Sequence, residues 1–218
     1  DIPNYRVCGA VADLDVPIGF WRSVGNSYNG FFHETFMDEL AQKSGTDAVE
    51  MRRKLMAKWP TATNVVNKVA AMSDWGSPLP AGKGRGFAFT LSFGTWVGEV
   101  VQVASEGDAI RIEKVWCAAD LGTVLDPRIV EGQLQSAIVF GLSAAAQQIT
   151  FKDGKVEQAN FPDYDALRMN QAPAIEVAVL ETSPWMGGIG EPGTPPSLPA
   201  LGNAIFAATG KRIRELPL

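Results

Sequence analysis

A glycine-rich stretch near the end of the chain carries a single carboxylate on a tightly constrained backbone. It reads Gly187-Gly188-Ile189-Gly190-Glu191-Pro192-Gly193-Thr194-Pro195-Pro196. Glycine tolerates positive φ and lets another group approach the backbone closely. Pro192 fixes its own φ and restricts Glu191 towards extended geometry. The pattern predicts a stiff turn that presents Glu191, although a surface loop with a solvated glutamate fits the spacing equally well.

The residues after this turn predict a helix. Residues 198–209 are mostly small and apolar, and Gly210 follows them as a helix stop. A loop that enters a helix directs backbone N–H groups outwards, which suits an anionic ligand. The turn is a poor match to a phosphate loop, because Gly-Lys-Ser/Thr and GxGxxG are both missing from it.

Composition narrows the classes of protein to consider. The 218 residues can form one large domain or two small ones, and the 46% of hydrophobic residues suffices for a sizeable core. The net charge of −5 argues against a nucleic-acid partner. The single histidine, His33, argues against a histidine-based metal site or a Ser-His-Asp triad. A packed or surface helix residue is the stronger interpretation of His33.

Cysteine usage and the start of the chain leave two questions open. Cys8 and Cys117 are far apart and lack metal-site spacing, so their pairing depends on the fold. No apolar run approaches the roughly 20 residues of a transmembrane helix. The chain opens Asp-Ile-Pro-Asn without Met or a basic signal region, so we expect its natural N-terminus to lie upstream.

Hydrophobic patterning divides the chain into a helix-rich first part with a substrate-side loop (residues 1–75), a linker (76–84) and an α+β part (85–218). We expect both parts to lie within one unit. In the first part, residues 4–12 predict a strand and residues 20–30 a loop. The helix predicted from Phe31 to Lys43 has an apolar face, comprising Phe32, Phe36, Met37 and Leu40.

The second part combines strands with one long helix. Alternation predicts strands over 87–91, 96–103, 110–118 and 175–180, with a hairpin turn at Glu106-Gly107-Asp108. Residues 128–147 predict a helix rich in small residues. The fold class is therefore α+β, with mixed sheets and packed helices.

Six stretches, in the expected order, resemble the molybdenum hydroxylases, the xanthine dehydrogenase and aldehyde oxidase family. The similarity is to their C-terminal molybdopterin-binding domain, in the branch of isoquinoline 1-oxidoreductases and periplasmic aldehyde dehydrogenases. The stretches are residues 19–25, 34–41, 120–122, 160–164, 187–196 and 210–217. Together they span nearly the whole chain.

The resemblance implies that Glu191 is the general base in a molybdenum-dependent hydroxylation of an N-heterocycle or aldehyde, with water as the oxygen source. A base of this kind needs a carboxylate on a rigid mount, within about 3 Å of its proton. The resemblance also implies cofactor contacts from the glycine-rich turn, the Arg22–Gly25 loop and the start of the long helix. These contacts are Gly188, Ile189, Gly190, Ser23, Gly25 and Gln133.

The family's Arg-Gly-Phe-Gly loop beside the substrate reads Arg22-Ser23-Val24-Gly25 here. The resemblance places Arg22, Val24 and Trp21 at the substrate pocket. Val24 replaces an aromatic residue that commonly stacks on substrate, which argues against purines, and Phe20 and Trp21 are candidates for a replacement wall. A salt bridge is the alternative role for Arg22. A glutamine that purine-oxidising members carry later in the helix is replaced by Phe140.

The resemblance implies a molybdenum–molybdopterin cofactor, as the cytosine dinucleotide usual in bacterial members, with no metal ligand from this chain. The sequence has no cysteine cluster for iron–sulfur centres. The implied partners are therefore the rest of the large subunit, a [2Fe–2S] subunit and a cytochrome c or other electron acceptor. Analogy predicts a periplasmic location. Two alternatives stay open: a non-catalytic assembly domain, and a stand-alone small-molecule-binding protein without metal.

Overall fold

A four-stranded sheet forms the centre of the computed structural model, which describes residues 2–107 and 109–218. Its order is β1-β2-β3-β6: the first three strands form an antiparallel meander, and β6 pairs in parallel with β3. A two-stranded hairpin, β4-β5, is separate. The bounds are β1 (Lys83–Ser92), β2 (Thr95–Glu106), β3 (Ala109–Asp120), β4 (Phe151–Lys152), β5 (Lys155–Val156) and β6 (Ala174–Leu180).

The helices lie on both faces of this sheet, so the predicted α+β class is confirmed. The third helix packs on one face through its valines, against Phe87 and Val100. The fourth and fifth helices pack on the other face, against Val97 and Val101. Their bounds are α1 (Gly25–Lys43), α2 (Ala48–Leu55), α3 (Pro60–Met72), α4 (Pro127–Ser143) and α5 (Ser197–Thr209), with a short 3-10 turn at Phe161–Asp163.

Helix α5 lies directly on the backbone of β1. A Cβ atom on Gly86 would stand 2.1 Å from the Ala204 nitrogen and 2.2 Å from the Ala200 oxygen, and one on Gly84 would stand 2.4 Å from the Ala204 oxygen. The small residues of α5 make this approach possible, and Gly210 ends the helix at φ 74°, as predicted. The strand therefore fixes α5, and with it the turn that leads into α5.

Replacing Gly86 with alanine should destabilise the fold by about 3 kcal/mol or more, because backbone atoms of α5 cannot move aside without shifting the helix. Chemical denaturation measures this loss. Gly132→Ala, on α4, is the matched control. The added Cβ atom meets no neighbouring group within 4 Å, so the variant should be as stable as the parent or slightly more stable. Equal stabilities for the two variants would contradict the packing described.

A buried ion pair joins α1 to α2 and β1. The Glu34 carboxylate accepts hydrogen bonds from Arg52 Nε at 2.9 Å and from the Phe89 N–H at 2.8 Å, and Glu34 and Arg52 are both almost fully buried. Burial raises the pKa of Glu34, but Arg52, His33 and the Phe89 N–H together outweigh it and lower that pKa. His33 itself lies on α1 beside Glu34, as a helix residue.

The predicted packing face of α1 is therefore largely wrong. Of its four residues only Met37 is buried, and Phe32, Phe36 and Leu40 are exposed. The face that packs carries Glu34, because its charge is matched by Arg52. Periodicity counts apolar side chains and so misses a buried ion pair.

Arg52→Ala should cost about 3–5 kcal/mol, because it leaves the Glu34 carboxylate buried and unpaired. In the parent, Glu34 stabilises the fold above the pKa of the unfolded chain, and this stability is lost as pH falls through the lowered folded pKa. In the variant the attraction of Arg52, the strongest of the effects that lower the pKa of Glu34, is lost, so that pKa should rise relative to the parent and less stability should be lost on acidification. Denaturant titrations at several pH values measure both effects, with Arg53→Ala, which removes a partly exposed pair with Glu50, as the control.

Several elements differ from the sequence-based expectation, including the four strands of the sheet, which begin one to four residues earlier than predicted. Residues 4–12 form no strand and are exposed. Helix α1 begins at Gly25 rather than Phe31, so the Asn- and Gly-rich stretch is helical. Helix α4 ends at Ser143, four residues short of the prediction. Strands β2 and β3 meet at the predicted hairpin, whose residue Asp108 lies outside the described residues.

Candidate active site

The first half of the glycine-rich turn is attached to the β1–β2 hairpin. The Gly187 N–H donates to the Leu121 oxygen at 2.8 Å, the Gly188 N–H donates to the Phe93 oxygen at 2.9 Å, and the Thr95 hydroxyl donates to the Gly188 oxygen. A Cβ on Gly187 would lie 2.3 Å from Thr95 Oγ1. Packing inside this chain therefore explains why Gly187 has no side chain.

Gly190 has no such internal explanation. A Cβ there meets nothing within 4 Å, and one on Gly188 makes only an ordinary 3.4 Å contact with Phe93. Among the residues that the structure describes, the backbone N–H groups of Ile189, Gly190 and Glu191 have no hydrogen-bond acceptor. This side of the turn offers open space and free donors to a group from outside the chain.

Glu191 is half-buried at the centre of the turn. Its Oε1 accepts a hydrogen bond from the Ser23 N–H at 3.0 Å. Within residues 2–107 and 109–218, nothing donates to Oε2. One oxygen thus fixes the orientation of the carboxylate, and the other is left free to accept a proton.

The Ser23 amide is held in place by a strained backbone. Ser23 and Val24 have φ values of 65° and 48°, in the left-handed region that non-glycine residues seldom occupy. The Ser23 hydroxyl lies 2.7 Å from Ser92 Oγ, and the Ser27 hydroxyl donates to the Arg22 oxygen at 2.6 Å. Such strain persists where surrounding contacts over-determine it, and it is concentrated at functional sites.

Arg22 connects the turn to helix α4. Its Nε and Nη2 donate to the Gly190 oxygen at 3.0 and 2.5 Å. It also donates to Ser136 Oγ at 3.1 Å and to Gln133 Oε1 at 3.2 Å. Burial lowers the pKa of Arg22, and the negative charge of Glu191 partly opposes this shift.

In the described part of the chain Arg22 forms no salt bridge, the alternative role considered above. Its N–H groups donate to the uncharged oxygens of Gly190, Ser136 and Gln133. Gln133 accepts through its oxygen, and its amide N–H₂ group has no acceptor in the described part of the chain. Gly25 opens α1 next to the strained loop. The predicted site residues of the loop, helix α4 and the turn are therefore neighbours in space, although their roles stay predictions.

Two aromatic rings stand beside Arg22. The rings of Trp21 and Phe140 lie 5.0 Å apart, and the Arg22 guanidinium is 5.7 Å from the centre of the Phe140 ring. Val24, predicted at the substrate pocket, is half-buried in the same loop. In the described chain, no group of three or more His, Cys, Asp or Glu residues could hold a metal ion.

Sequence reasoning missed Ser136 and Ser92, and it assigned no role in the site to Phe140. Gln133, Ser136 and Phe140 share one face of α4 at i, i+3 and i+7, so helical spacing from Gln133 could have found the other two. Ser92 ends β1 and also accepts a hydrogen bond from Asn26. No local pattern marks Ser92, because its contacts reach 66 and 69 residues along the chain.

Comparison with known proteins agrees with this geometry. Residues 31–173 match the family model described as the molybdopterin cofactor-binding domain. The chain is 32% identical to the beta subunit of isoquinoline 1-oxidoreductase from Brevundimonas diminuta, over 100% of this chain and 29% of that protein. It is 31% identical to a nicotinate dehydrogenase subunit from Pseudomonas putida, over 93% of this chain and 19% of that protein.

The chain therefore belongs to the molybdopterin cofactor-binding domain family of the molybdenum hydroxylases. It spans less than a third of the length of these curated relatives. The fold matches the aldehyde oxidoreductase of Desulfovibrio desulfuricans with a TM-score of 0.73, over 91% of this chain and 40% of that one, at 15% identity. In the described residues, no helix is both long and apolar enough to cross a membrane.

Arg22→Lys should loosen the glycine-rich turn, because one ammonium group cannot reproduce the fork of donors to Gly190, Ser136 and Gln133. Losing a charged hydrogen bond of roughly 1.5 kcal/mol should speed amide exchange at Gly187 and Gly188 by about tenfold. Hydrogen exchange read by mass spectrometry measures this. Arg128→Lys, at an exposed position on α4, is the control, and equal exchange in both variants would contradict the clamp.

Proposed function

We propose that this chain supplies the general base of a molybdenum-dependent hydroxylase that oxidises an N-heterocycle or an aldehyde, with oxygen taken from water. The observation that carries the proposal is the Glu191 carboxylate, held through Oε1 by the Ser23 N–H and open at Oε2. Catalytic bases need this combination of fixed geometry and a free lone pair. The relatives named above, an isoquinoline oxidoreductase and a nicotinate dehydrogenase, support the substrate class.

The residues present fit a molybdopterin cofactor. The free N–H groups of residues 189–191 and the open space at Gly190 allow a polar group to approach the backbone. The free amide of Gln133 is a further donor for a pterin edge. We propose that these residues, with the backbone of Ser23 and Gly25, hold the cofactor, in its cytosine dinucleotide form.

When bound, the molybdenum–pterin group would supply two-electron oxidation and the binding position for a water-derived oxygen. The chain's own part is proton transfer. Glu191 Oε2 would accept the proton that the water-derived oxygen gives up during hydroxylation. Ser23 keeps the carboxylate pointed at the reacting atoms, and Arg22 keeps the Gly190 peptide from turning.

We propose that the flat substrate lies against the Trp21 and Phe140 rings, with Val24 leaving room where an aromatic residue would fill the pocket. Both rings are about two-fifths exposed, so they have surface to offer. A planar heterocycle stacks well on such a wall. This favours isoquinoline-like rings over purines.

The remaining partners follow from the length of the relatives and from exposed apolar surface. We propose that the rest of the large subunit covers α1, where Phe32 and Phe36 are more than half exposed, and the arm of residues 2–20. A [2Fe–2S] subunit would carry electrons to a cytochrome c or other acceptor. We also propose a periplasmic location for the assembled enzyme, by analogy with its relatives.

Glu191→Gln should lower kcat by about three orders of magnitude or more in the assembled enzyme, because an amide cannot accept the proton. Steady-state kinetics with an N-heterocycle and an aldehyde measure this loss. Molybdenum content, measured on the same samples, should stay that of the parent.

The matched control is Glu176→Gln, which neutralises an exposed carboxylate on β6 and should leave kcat unchanged. Near-normal turnover by Glu191→Gln would favour the non-catalytic assembly domain. An assembled complex without molybdenum would favour the metal-free binding protein.

A further inference from the structure

A second glutamate, Glu99, is buried in the middle of the central sheet. It lies on β2 between Ala88 of β1 and Cys117 of β3, and it is fully shielded from solvent. Its face of the sheet is the one covered by α4 and α5, lined by Val97 and Val101. Among the described residues no basic side chain pairs with it. An ionised carboxylate in such a place is very costly.

The hydrogen bonds around Glu99 indicate which group carries the proton. Ser197 Oγ lies 3.0 Å from Glu99 Oε2 and 2.9 Å from the Gly193 oxygen. A hydroxyl has one hydrogen, so Ser197 cannot donate to both oxygens. If Glu99 is neutral, its O–H donates to Ser197 Oγ and the Ser197 O–H donates to Gly193, which satisfies both contacts.

Two further observations agree with a neutral Glu99. Its other oxygen, Oε1, is buried without a hydrogen-bond partner, which is far less costly for a carboxylic acid than for a carboxylate. Burial raises the pKa of Glu99 well above its ordinary value, and the Ser197 hydroxyl opposes this only in part.

This chain of hydrogen bonds ends at the backbone of Gly193, in the glycine-rich turn that carries Glu191. Gly193 follows Glu191 by two residues. The Thr194 N–H donates to the backbone carbonyl oxygen of Glu191 at 2.9 Å, which closes the same turn. A Cβ on Gly193 would lie 3.0 Å from the Ala137 Cβ of α4, so the peptide has little room to rotate. Ser197, which holds the Gly193 oxygen, is itself fully buried.

We propose that Glu99 is a positioning residue for the general base. Its neutral carboxyl group fixes the Ser197 hydroxyl, which in turn fixes the Gly193 peptide and the backbone that carries Glu191. The inference rests on the proposed role of Glu191. In the described part of the chain, Glu99 forms its side-chain hydrogen bond with Ser197 and none with the residues assigned above to the cofactor or the substrate pocket. Its effect should appear in kcat rather than in KM, because it sets geometry without contributing to binding.

The experiment compares Glu99→Gln with Glu99→Met in the assembled holoenzyme. Glutamine keeps a donor for Ser197, so kcat should stay within about threefold of the parent. Methionine fills the same volume without a donor, so kcat should fall about tenfold with KM unchanged. The melting temperature of Glu99→Met should be unchanged or higher, because well-packed apolar replacements of buried polar groups are neutral or stabilising. A purely structural role would move kcat and melting temperature together.

A double-mutant cycle tests the route through Ser197. Ser197→Ala should lower kcat at least as much as Glu99→Met, and the double variant should fall no further than Ser197→Ala alone. Additive losses, or parent-like kcat in Glu99→Met, would overturn the proposal. So would an equal loss of kcat in the glutamine and methionine variants.

Infrared spectroscopy, which does not depend on turnover, tests whether the Glu99 carboxyl group is protonated. The infrared spectrum of the parent minus that of Glu99→Gln, at neutral pH, should contain the carbonyl stretch of a protonated carboxyl group. A difference spectrum with carboxylate bands alone would overturn the neutral state. If Glu191→Gln stays active, the proposed function fails. If it is inactive while Glu99→Met is not, only the positioning role fails.

Discussion

Direct contact between the backbones of α5 and β1 is the constraint on which the rest of this structure depends. At Gly84 and Gly86 the strand has no side chain, and a Cβ atom at either position would overlap backbone atoms of the helix. The start of α5 is thereby fixed to the sheet, so the last residues of the turn (187–196) have little conformational freedom. A carboxylate carried on such a turn needs few further contacts to be oriented, since each remaining contact constrains an already short segment.

The site is built from three supports that differ in kind. The β1–β2 hairpin holds the first half of the turn by backbone hydrogen bonds. Helix α4 holds Arg22, which holds the Gly190 oxygen. The strained loop at Ser23 supplies an N–H group that donates to the Glu191 carboxylate. These supports leave the backbone N–H groups of residues 189–191 without an acceptor among the described residues, and a Cβ atom on Gly190 would meet nothing within 4 Å.

Part of the fold and of the candidate site could be predicted from short stretches of the sequence. The glycine-rich turn, the stop at Gly210 and the alternating strands depend on residues close together in sequence, and the structure has them as predicted. Two features were not predictable from local pattern. Glu34 is buried because its partner Arg52 lies on another helix, so α1 packs by a face that periodicity does not mark. The start of α5 looked open to an anion, but Thr194 and Ser197 are buried against the protein's own interior.

The long reach of the contacts around Glu191 has a consequence for how the protein is made. Arg22 and Ser23 meet Gly190 and Glu191 across 168 residues, and Arg22 meets Gln133 across 111. Such closures come late, because the entropy of the intervening chain opposes them until the sheet exists to bring both ends together. During synthesis the Ser23 loop cannot close on its partners until Gly190 and Glu191 have emerged, 168 residues later. A chain that has not yet reached Glu191 therefore has a Ser23 loop without the carboxylate that its N–H group binds, so the two halves of this contact form only after the sheet has brought them together.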